Sequence, residues 1–397
     1  MHNVKNISLK NLRVAIIHNT VAPYRHSLFE KLSKYTSLIV YYCSVKHVHR
    51  DWDLWPRVYH YKYKILLRIP LKFSKEELSL NPTIINEITR NRPHIIIIAG
   101  HIDPTMWIIF AIARLLKIPI IYWTGGIKEP KLILGRITRP LRMLFVKSAC
   151  AIVVPGEMSR RYVIGLGANS EKVFTAPYVI DNELFIQVSC KYYPKKEELK
   201  DKLGLRNKIV ILYVGQLIER KGIIYLLEAY KKLKTENKNI ALVIVGHGKL
   251  YNKLLKVCRE KGIDNVIFTG SIKDLNELIK YYCMADIFVL PTLEDIWGFV
   301  INEAMACSLP VVSTRTSQAA REMVIHGENG YIVREADSEA LYDALKKLVY
   351  NHKLREEMGK KSRQILIQKF KVDYTVEGFI RAIKWCIDKR NGKCLHP

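Results

Sequence analysis

The sequence predicts an α/β protein of two units, each a parallel sheet flanked by helices. Three observations carry that prediction. Two stretches, 13–18 (RVAIIH) and 209–215 (IVILYVG), each run as an apolar strand into a polar loop and then a helix, the opening of a Rossmann-like unit. The strand over 94–99 is apolar on both faces, as in a sheet covered by helices on both sides. A chain of 397 residues is also long enough to bury two full cores.

Composition narrows the class. An apolar content of 49% is ordinary for a folded protein and argues against disorder. The formal net charge of +27 is not ordinary. Residues 1–178 hold 27 Lys and Arg against 10 Asp and Glu, so the excess is concentrated in the first half. Such a surface is drawn to nucleic acid, an acidic membrane or a polyanionic substrate. The eight cysteines are scattered without a C-x-x-C or Cys/His cluster, so neither a metal site nor a disulfide framework is expected, and reduced cysteines suit a cytoplasmic location. Residues 1–10 are polar and 14–17 form only a short apolar run, which is not a signal-peptide pattern. The longest apolar region, 95–123, is broken by His101, Asp103, Pro104, Arg114, Lys117 and Pro119, and reads as strand, helix and strand rather than a membrane span.

In chain order, the strand 13–18 ends in a loop containing Tyr24 and Arg25, and Leu28, Phe29 and Leu32 then follow at helical spacing. The loop lacks the G-x-G-x-x-G fingerprint of a dinucleotide site. A second strand spans 37–43. Residues 50–75 interleave Trp52, Trp55, Tyr59, Tyr61 and Tyr63 with Arg57, Lys62, Lys64, Arg68 and Lys72. Aromatics among cations suit a membrane interface or single-stranded nucleic acid, and 59–67 also reads as a twisted hairpin. A helix over 83–89, the strand 94–99, a helix over 105–116 and a strand over 118–123 complete the central pattern. His101 and the pair Gly125 and Gly126 stand at the carboxyl ends of neighbouring strands, where open α/β sheets bind ligands. Residues 128–147 form a basic amphipathic stretch that Pro140 kinks or splits. A strand over 151–155, a helix over 157–166 and a strand over 173–177 close the first unit. The charged run 191–202 reads as a solvated linker and helix.

The second unit opens at 209–215, whose loop carries Gly215, Gln216, Arg220 and Lys221 ahead of a helix over 223–233. The strand 240–245 ends at Gly246, and the strand 266–270 leads into Ile272. The stretch 290–314 then holds a strand end, a loop with Glu294 and Asp295, a helix opened by Gly298 and ended by Leu309 and Pro310, and a further strand. Asp295 in the loop and Glu303 in the helix are eight apart, so they flank one bound molecule from different directions. Free amides at the start of that helix favour a phosphate.

This stretch resembles the E-x7-E motif of GT-B glycosyltransferases of the family 4 type, whose usual form is Glu, a Gly three on, then Glu-Ala-Met-Ala. Asp295 takes the first position, Gly298 has its proper offset, and Glu303, Ala304, Met305 and Ala306 complete it. The family's G-R-L-x-x-x-K-G loop is matched at Lys221 and Gly222, with Gln216 where Arg is usual and Arg220 adjacent. The 178–185 stretch resembles the family's N-x-V-D-x-x-x-F connector, with Tyr178 in place of Asn.

The resemblance implies the GT-B architecture, two Rossmann-like domains facing each other across a cleft. Residues 1–178 would form the acceptor-binding domain, with a C-terminal helix over 373–397 crossing back onto it. Residues 179–205 would be the linker and 206–372 the nucleotide-sugar-binding domain. It implies retaining transfer of a hexose-type sugar from a nucleotide-diphospho-sugar to a glycan or lipid-linked acceptor, without a metal or further cofactor. Glu303 would hold the ribose hydroxyls, Asp295 or Glu294 the sugar hydroxyls, and Lys221 with Arg220 the diphosphate. The amides around Trp297, Gly298, Phe299 and Val300 would add neutralisation, while Gly215, Gln216, Gly246 and Ile272 line the donor site. Tyr24, Arg25, His101, Gly125 and Gly126 would face the acceptor, and residues 128–147 would meet an anionic membrane, giving a cytoplasmic protein held peripherally on the inner face. Two other readings stay open: another GT-B enzyme such as an epimerase or phosphorylase, and a basic nucleic-acid-binding protein, although no recognised nucleic-acid motif is present.

Overall fold

The computed structural model describes residues 9–45, 59–73, 76–100, 103–128 and 138–392. The chain divides into two compact units, Met1–Pro177 with Val372–Pro397, and Tyr178–Lys371.

The first unit is built on β1 (Arg13–His18), β2 (Ser37–Tyr42), β3 (Lys62–Ile65), β6 (Ile95–Ala99), β7 (Ile120–Trp123), β8 (Ala151–Val154) and β9 (Val173–Thr175), with the hairpin of β4 (Ile69–Phe73) and β5 (Glu76–Leu80) beside it. The seven strands pair in parallel in the order β3-β2-β1-β6-β7-β8-β9. Runs of Ile and Val fill the central strands because both faces are covered, and Ile16, Ile97 and Ile121 are fully buried. The direction of winding changes between β1 and β6, which puts a crevice at their carboxyl ends.

The C-terminal helix Val372–Arg390 belongs to this unit and packs on β8 and β9. Thr375 Oγ1 donates to the Pro177 carbonyl at 2.7 Å, Trp385 Nε1 donates to Cys150 O at 3.1 Å, and Phe379 meets Trp123 edge-on at 4.9 Å.

The second unit holds β10 (Ile209–Val214), β11 (Ile240–Val245), β12 (Val266–Gly270), β13 (Ile287–Leu290), β14 (Val311–Thr314) and β15 (Gly330–Val333), all parallel, in the order β12-β11-β10-β13-β14-β15. Its switch point lies between β10 and β13. The loops after those two strands are the ones that carry Lys221 and Asp295, so the topology alone brings them together.

Three expectations change. The span 179–205 is not a linker: helices Asn182–Tyr192 and Lys196–Asp201 pack into the second unit, burying Phe185 and Leu199. Its charges look solvated in sequence, but Lys196 and Lys200 turn inward onto Asp286 at 2.8 and 3.0 Å. The hairpin expected over 59–67 is instead an edge strand, β3, parallel to β2, and the antiparallel pair comes one step later as β4 and β5. Pro140 stands in the first turn of the helix Arg139–Ser148, where its missing N–H costs nothing. Residues 129–137 of that basic stretch lie outside the described residues, as do Trp52, Trp55 and Arg57. Finally, the helix after Gly298 stops at Ala306, with Ser308 left-handed at φ 58°, ahead of Leu309 and Pro310.

Candidate active site

The carboxyl rim of the second sheet is shaped by close backbone approach. Gly215 and Gly246 end β10 and β11, and a Cβ on Gly246 would sit 1.9 Å from the Gly215 carbonyl oxygen, so only glycine lets the two loops meet. Ile272 and Gln216 border the same rim, both partly exposed, and the Gln216 carbonyl is fixed by the Tyr213 hydroxyl at 3.0 Å.

The two loops at the switch point are stitched to each other. Thr292 Oγ1 donates to Arg220 O at 3.0 Å and to Glu294 O at 2.9 Å, and the Leu293 amide donates to Arg220 O at 2.8 Å. This holds a short 3-10 turn, Glu219–Lys221, against the 292–295 segment. Lys221 is buried, and its ammonium forms an ion pair with the Asp295 carboxylate. Arg220 stands behind it, its Nη1 donating to Glu294 O at 3.2 Å and lying 4.0 Å from Asp295 Oδ1. Asp295 itself is pinned through its backbone, its amide donating to Thr316 O at 3.2 Å and its carbonyl accepting from Gln318 N at 3.3 Å. Of the two candidate carboxylates, Asp295 is the one paired with the buried lysine, while Glu294 contributes its carbonyl to the stitching.

Gly298, at φ 102°, turns the chain into the helix Phe299–Ala306 in a conformation that a Cβ would strain, 3.0 Å from Ser317 Oγ. Trp297 is committed to the interior: the residue is 2% exposed, donates from Nε1 to Asn302 Oδ1 at 2.9 Å and packs on Tyr178 at 5.6 Å. Phe299 stacks on Tyr178 at 5.8 Å. What Trp297 offers a ligand is therefore backbone, while Phe299 and Val300 are half-exposed. Glu303, one turn further on, accepts a 2.6 Å hydrogen bond from the buried Tyr282 hydroxyl. Burial pushes the Glu303 carboxyl up to about 7, against the opposing pull of the Tyr282 bond. Burial and the neighbouring Glu303 together push the Tyr282 phenol well above its ordinary range.

Sequence reasoning missed Tyr282, Asn302 and the wedge role of Tyr178. Tyr282 comes from the helix Leu275–Met284 and gives no local signal of facing Glu303. Asn302 is fully buried, joining Trp297 to the Tyr178 carbonyl at 3.2 Å, and a polar residue beside the motif is all the sequence offers.

In the first unit, Tyr24 and Arg25 form a 3-10 turn after β1. Arg25 does not face outward as the sequence suggests: it is 7% exposed, with its guanidinium 4.5 Å from the Trp123 ring and 5.1 Å from Tyr24. A cation laid on two rings anchors the turn and leaves the half-exposed Tyr24 at the surface. Gly125 and Gly126 follow β7, and the Gly126 amide donates to Thr124 Oγ1 at 3.2 Å. His101 lies outside the described residues. His18, at the end of β1, is kept neutral by burial and by Arg25, which lower it to about 3, and its Nδ1 is 2.7 Å from Thr20 O. Among the described residues no three His, Cys, Asp or Glu side chains are grouped to hold a metal, and no helix is long and apolar enough to cross a membrane.

Comparison with known proteins bears on this rim directly. Residues 195–365 match the family model described as glycosyl transferases group 1, a span that holds Lys221, Asp295 and Glu303. That span is similar to the group 1 glycosyl transferases. Among curated proteins, the capsular polysaccharide biosynthesis glycosyltransferase CapM of Staphylococcus aureus is 31% identical over 181 residues, 44% of this chain and 46% of that one. The GDP-mannose-dependent alpha-(1-6)-phosphatidylinositol monomannoside mannosyltransferase of Mycolicibacterium smegmatis is 31% identical over 173 residues, 41% of this chain and 44% of its own length. The chain thus spans about half the length of the curated relatives it matches. Solved structures agree on the fold over nearly the whole chain. Sucrose-phosphate synthase of Thermosynechococcus elongatus superposes with a TM-score of 0.73 at 17% identity, covering 96% of this chain and 100% of that one. HepE of Anabaena, in complex with UDP and glucose, gives 0.71 at 16% identity, covering 94% and 100%. The chain has the GT-B fold.

Proposed function

We propose that this protein is a retaining, metal-independent glycosyltransferase that moves a hexose-type sugar from a nucleotide-diphospho-sugar to a glycan or lipid-linked acceptor. The observation that carries the reading is the Lys221–Asp295 pair at the β10/β13 switch point, with Asp295 in the loop ahead of the helix that carries Glu303. Breaking a sugar–phosphate bond leaves charge on a diphosphate, and a preorganised cation stabilises that charge most at the transition state. Lys221 and Arg220 supply the cations, and the amides at Phe299 and Val300 add the positive end of a helix. With the diphosphate taking up Lys221, the Asp295 carboxylate is released towards the sugar hydroxyls, with Glu294 beside it, and Glu303 takes the ribose. The GDP-mannose and UDP named for relatives fit a donor of this class.

The acceptor half of the reading rests on the first unit, Tyr24, Arg25, His101, Gly125 and Gly126 being its acceptor-side residues. Incubation with labelled nucleotide sugars and candidate acceptors, followed by NMR of the new anomeric centre, tests the whole. An axial donor sugar that stays axial in a transferred product supports retention. Inversion, or a free epimer or sugar phosphate as the product, moves the assignment to an inverting enzyme or to an epimerase or phosphorylase.

Membrane attachment is the second part of the proposal. Residues 104–156 hold eight Lys and Arg against the single acidic Glu129. On the helix Arg139–Ser148, Leu141 and Leu144 are 47% and 50% exposed beside Arg139 and Lys147. An apolar ridge flanked by cations suits the headgroup region of an anionic bilayer. We expect flotation with vesicles rich in anionic lipid and little with neutral ones. Leu141→Ser with Leu144→Ser is expected to weaken binding by about tenfold or more, from the transfer free energy of two leucines. Equal binding to neutral vesicles, or none to either, contradicts it.

A further inference from the structure

The second unit carries a cavity of roughly 320 Å³ at the end of the sheet opposite the glycine-lined rim. It opens where β10, β13 and β14 begin, beside Ile209, Asp286 and Pro310. A six-residue strand rises about 3.3 Å per residue, so roughly 20 Å of sheet separates the cavity from Gly215.

The floor of the cavity is internally satisfied. Asp286 holds Lys196 at 2.8 Å and Lys200 at 3.0 Å and accepts the Val210 amide at 2.8 Å. Lys196 also donates to Ala285 O at 2.7 Å and Lys200 to Lys208 O at 2.9 Å. Burial opposes ionisation of Asp286, but the two lysines and the amide outweigh it and hold the carboxyl below its usual range.

The mouth is not balanced in the same way. Lys208, His352, Arg355 and Lys360 converge on it, with Glu356 as the one further carboxylate. Among the described residues no carboxylate lies within ion-pair distance of the Lys208 or Lys360 ammonium. Glu197 is engaged with Lys200 at 3.1 Å and with the Asn207 amide at 3.1 Å. Arg355 uses Nη1 on the Leu348 and Val349 carbonyls at 2.7 and 2.9 Å, which fixes the guanidinium at the cavity wall. The lining thus holds five Lys and Arg against three carboxylates, two of which are committed to the floor. Like charges held around a partly enclosed space repel until an anion enters, and a phosphate can accept several charge-assisted hydrogen bonds at once.

We propose that this cavity is a second anion site, for a phosphate-bearing small molecule, separate from the donor rim. None of its residues belongs to the loops at the donor rim, so it stands whether or not the transferase reading does.

Calorimetric titration of the full chain with inorganic phosphate and with glycerol 3-phosphate tests it. Saturable binding is expected, weakened about tenfold or more by Lys208→Glu with Lys360→Glu and left unchanged by Lys221→Ala. Tighter binding of the ester identifies a phosphorylated metabolite as the occupant, and equal binding identifies free phosphate. Stabilisation by nucleotide should be the same in the Lys208/Lys360 variant as in wild type. Should the charge-reversed protein fail to fold by circular dichroism, Lys208→Gln with Lys360→Gln serves the same purpose. Absence of binding, or binding that Lys221→Ala abolishes and the Lys208/Lys360 variant retains, overturns the proposal.

Discussion

Replacing Lys221 by Ala is expected to lower the transfer rate by about 10²–10³, the effect of removing one preorganised group that faces developing charge. The lysine is buried against Asp295, so a structural explanation must be separated from a catalytic one. If Lys221 served only to neutralise Asp295, then removing both charges with Lys221→Met and Asp295→Asn would restore the rate, because no buried charge would be left unpaired. The account predicts no such rescue. It also predicts that Arg220, with its guanidinium 4.0 Å from Asp295, keeps the single variant folded. Steady-state kinetics on the two single variants and the double variant, alongside their melting curves, decide between the explanations. Recovery of transfer in the double variant would show that the pair is scaffold.

Glu303 yields the second large effect, and it has two opposite signs. The folded carboxyl is raised to about 7 from 4.5. Between those values the native state binds more protons than the unfolded chain, so this residue's contribution to stability falls as pH rises through that window and is at its least above pH 7. Glu303→Gln keeps an acceptor for the Tyr282 hydroxyl and removes the buried charge. The ligand-free variant should therefore be more stable than wild type at pH 8, by about 2 kcal/mol, and show no advantage near pH 4.5. Nucleotide stabilisation should move the other way. A carboxylate accepts two ribose hydroxyls better than an amide does, so the variant should lose most of that stabilisation, while wild type should bind nucleotide more tightly as pH rises from 6 to 8. A variant that is less stable at pH 8, or a nucleotide affinity that falls as pH rises, contradicts this assignment.

Much of the candidate site was legible because its chemistry is local. Asp295, Gly298 and Glu303 lie on one strand–loop–helix segment, and Lys221 lies on the equivalent loop one switch point away, so spacing alone carried them. The alternation of apolar strands and amphipathic helices likewise made the two parallel sheets readable. What sequence could not supply are partners from distant elements. Tyr282 reaches Glu303 from the preceding helix, Asn302 ties Trp297 to Tyr178 across 124 residues of chain, and Arg25 is drawn inward by Trp123. The supposed linker fails for the same reason. A charged run is solvated unless something buried neutralises it, and Asp286, far along the chain, does so for Lys196 and Lys200. In the sequence Gly246 is simply a strand end, and its necessity appears when the Gly215 carbonyl is seen against it.

The central claim is that the carboxyl rim of the second sheet binds a nucleotide diphosphate. Thermal unfolding of wild type and Glu303→Ala with UDP, GDP and ADP at saturating concentration, in the presence of a chelator, tests it most directly. At a hundredfold excess over the dissociation constant, binding adds about 2.7 kcal/mol, a shift of several degrees for a unit of this size. The account predicts that shift for one nucleotide in wild type and its loss in Glu303→Ala. No shift with any nucleotide, together with tight, salt-sensitive binding of RNA or DNA, would contradict the account and leave the basic charge to be explained by nucleic acid.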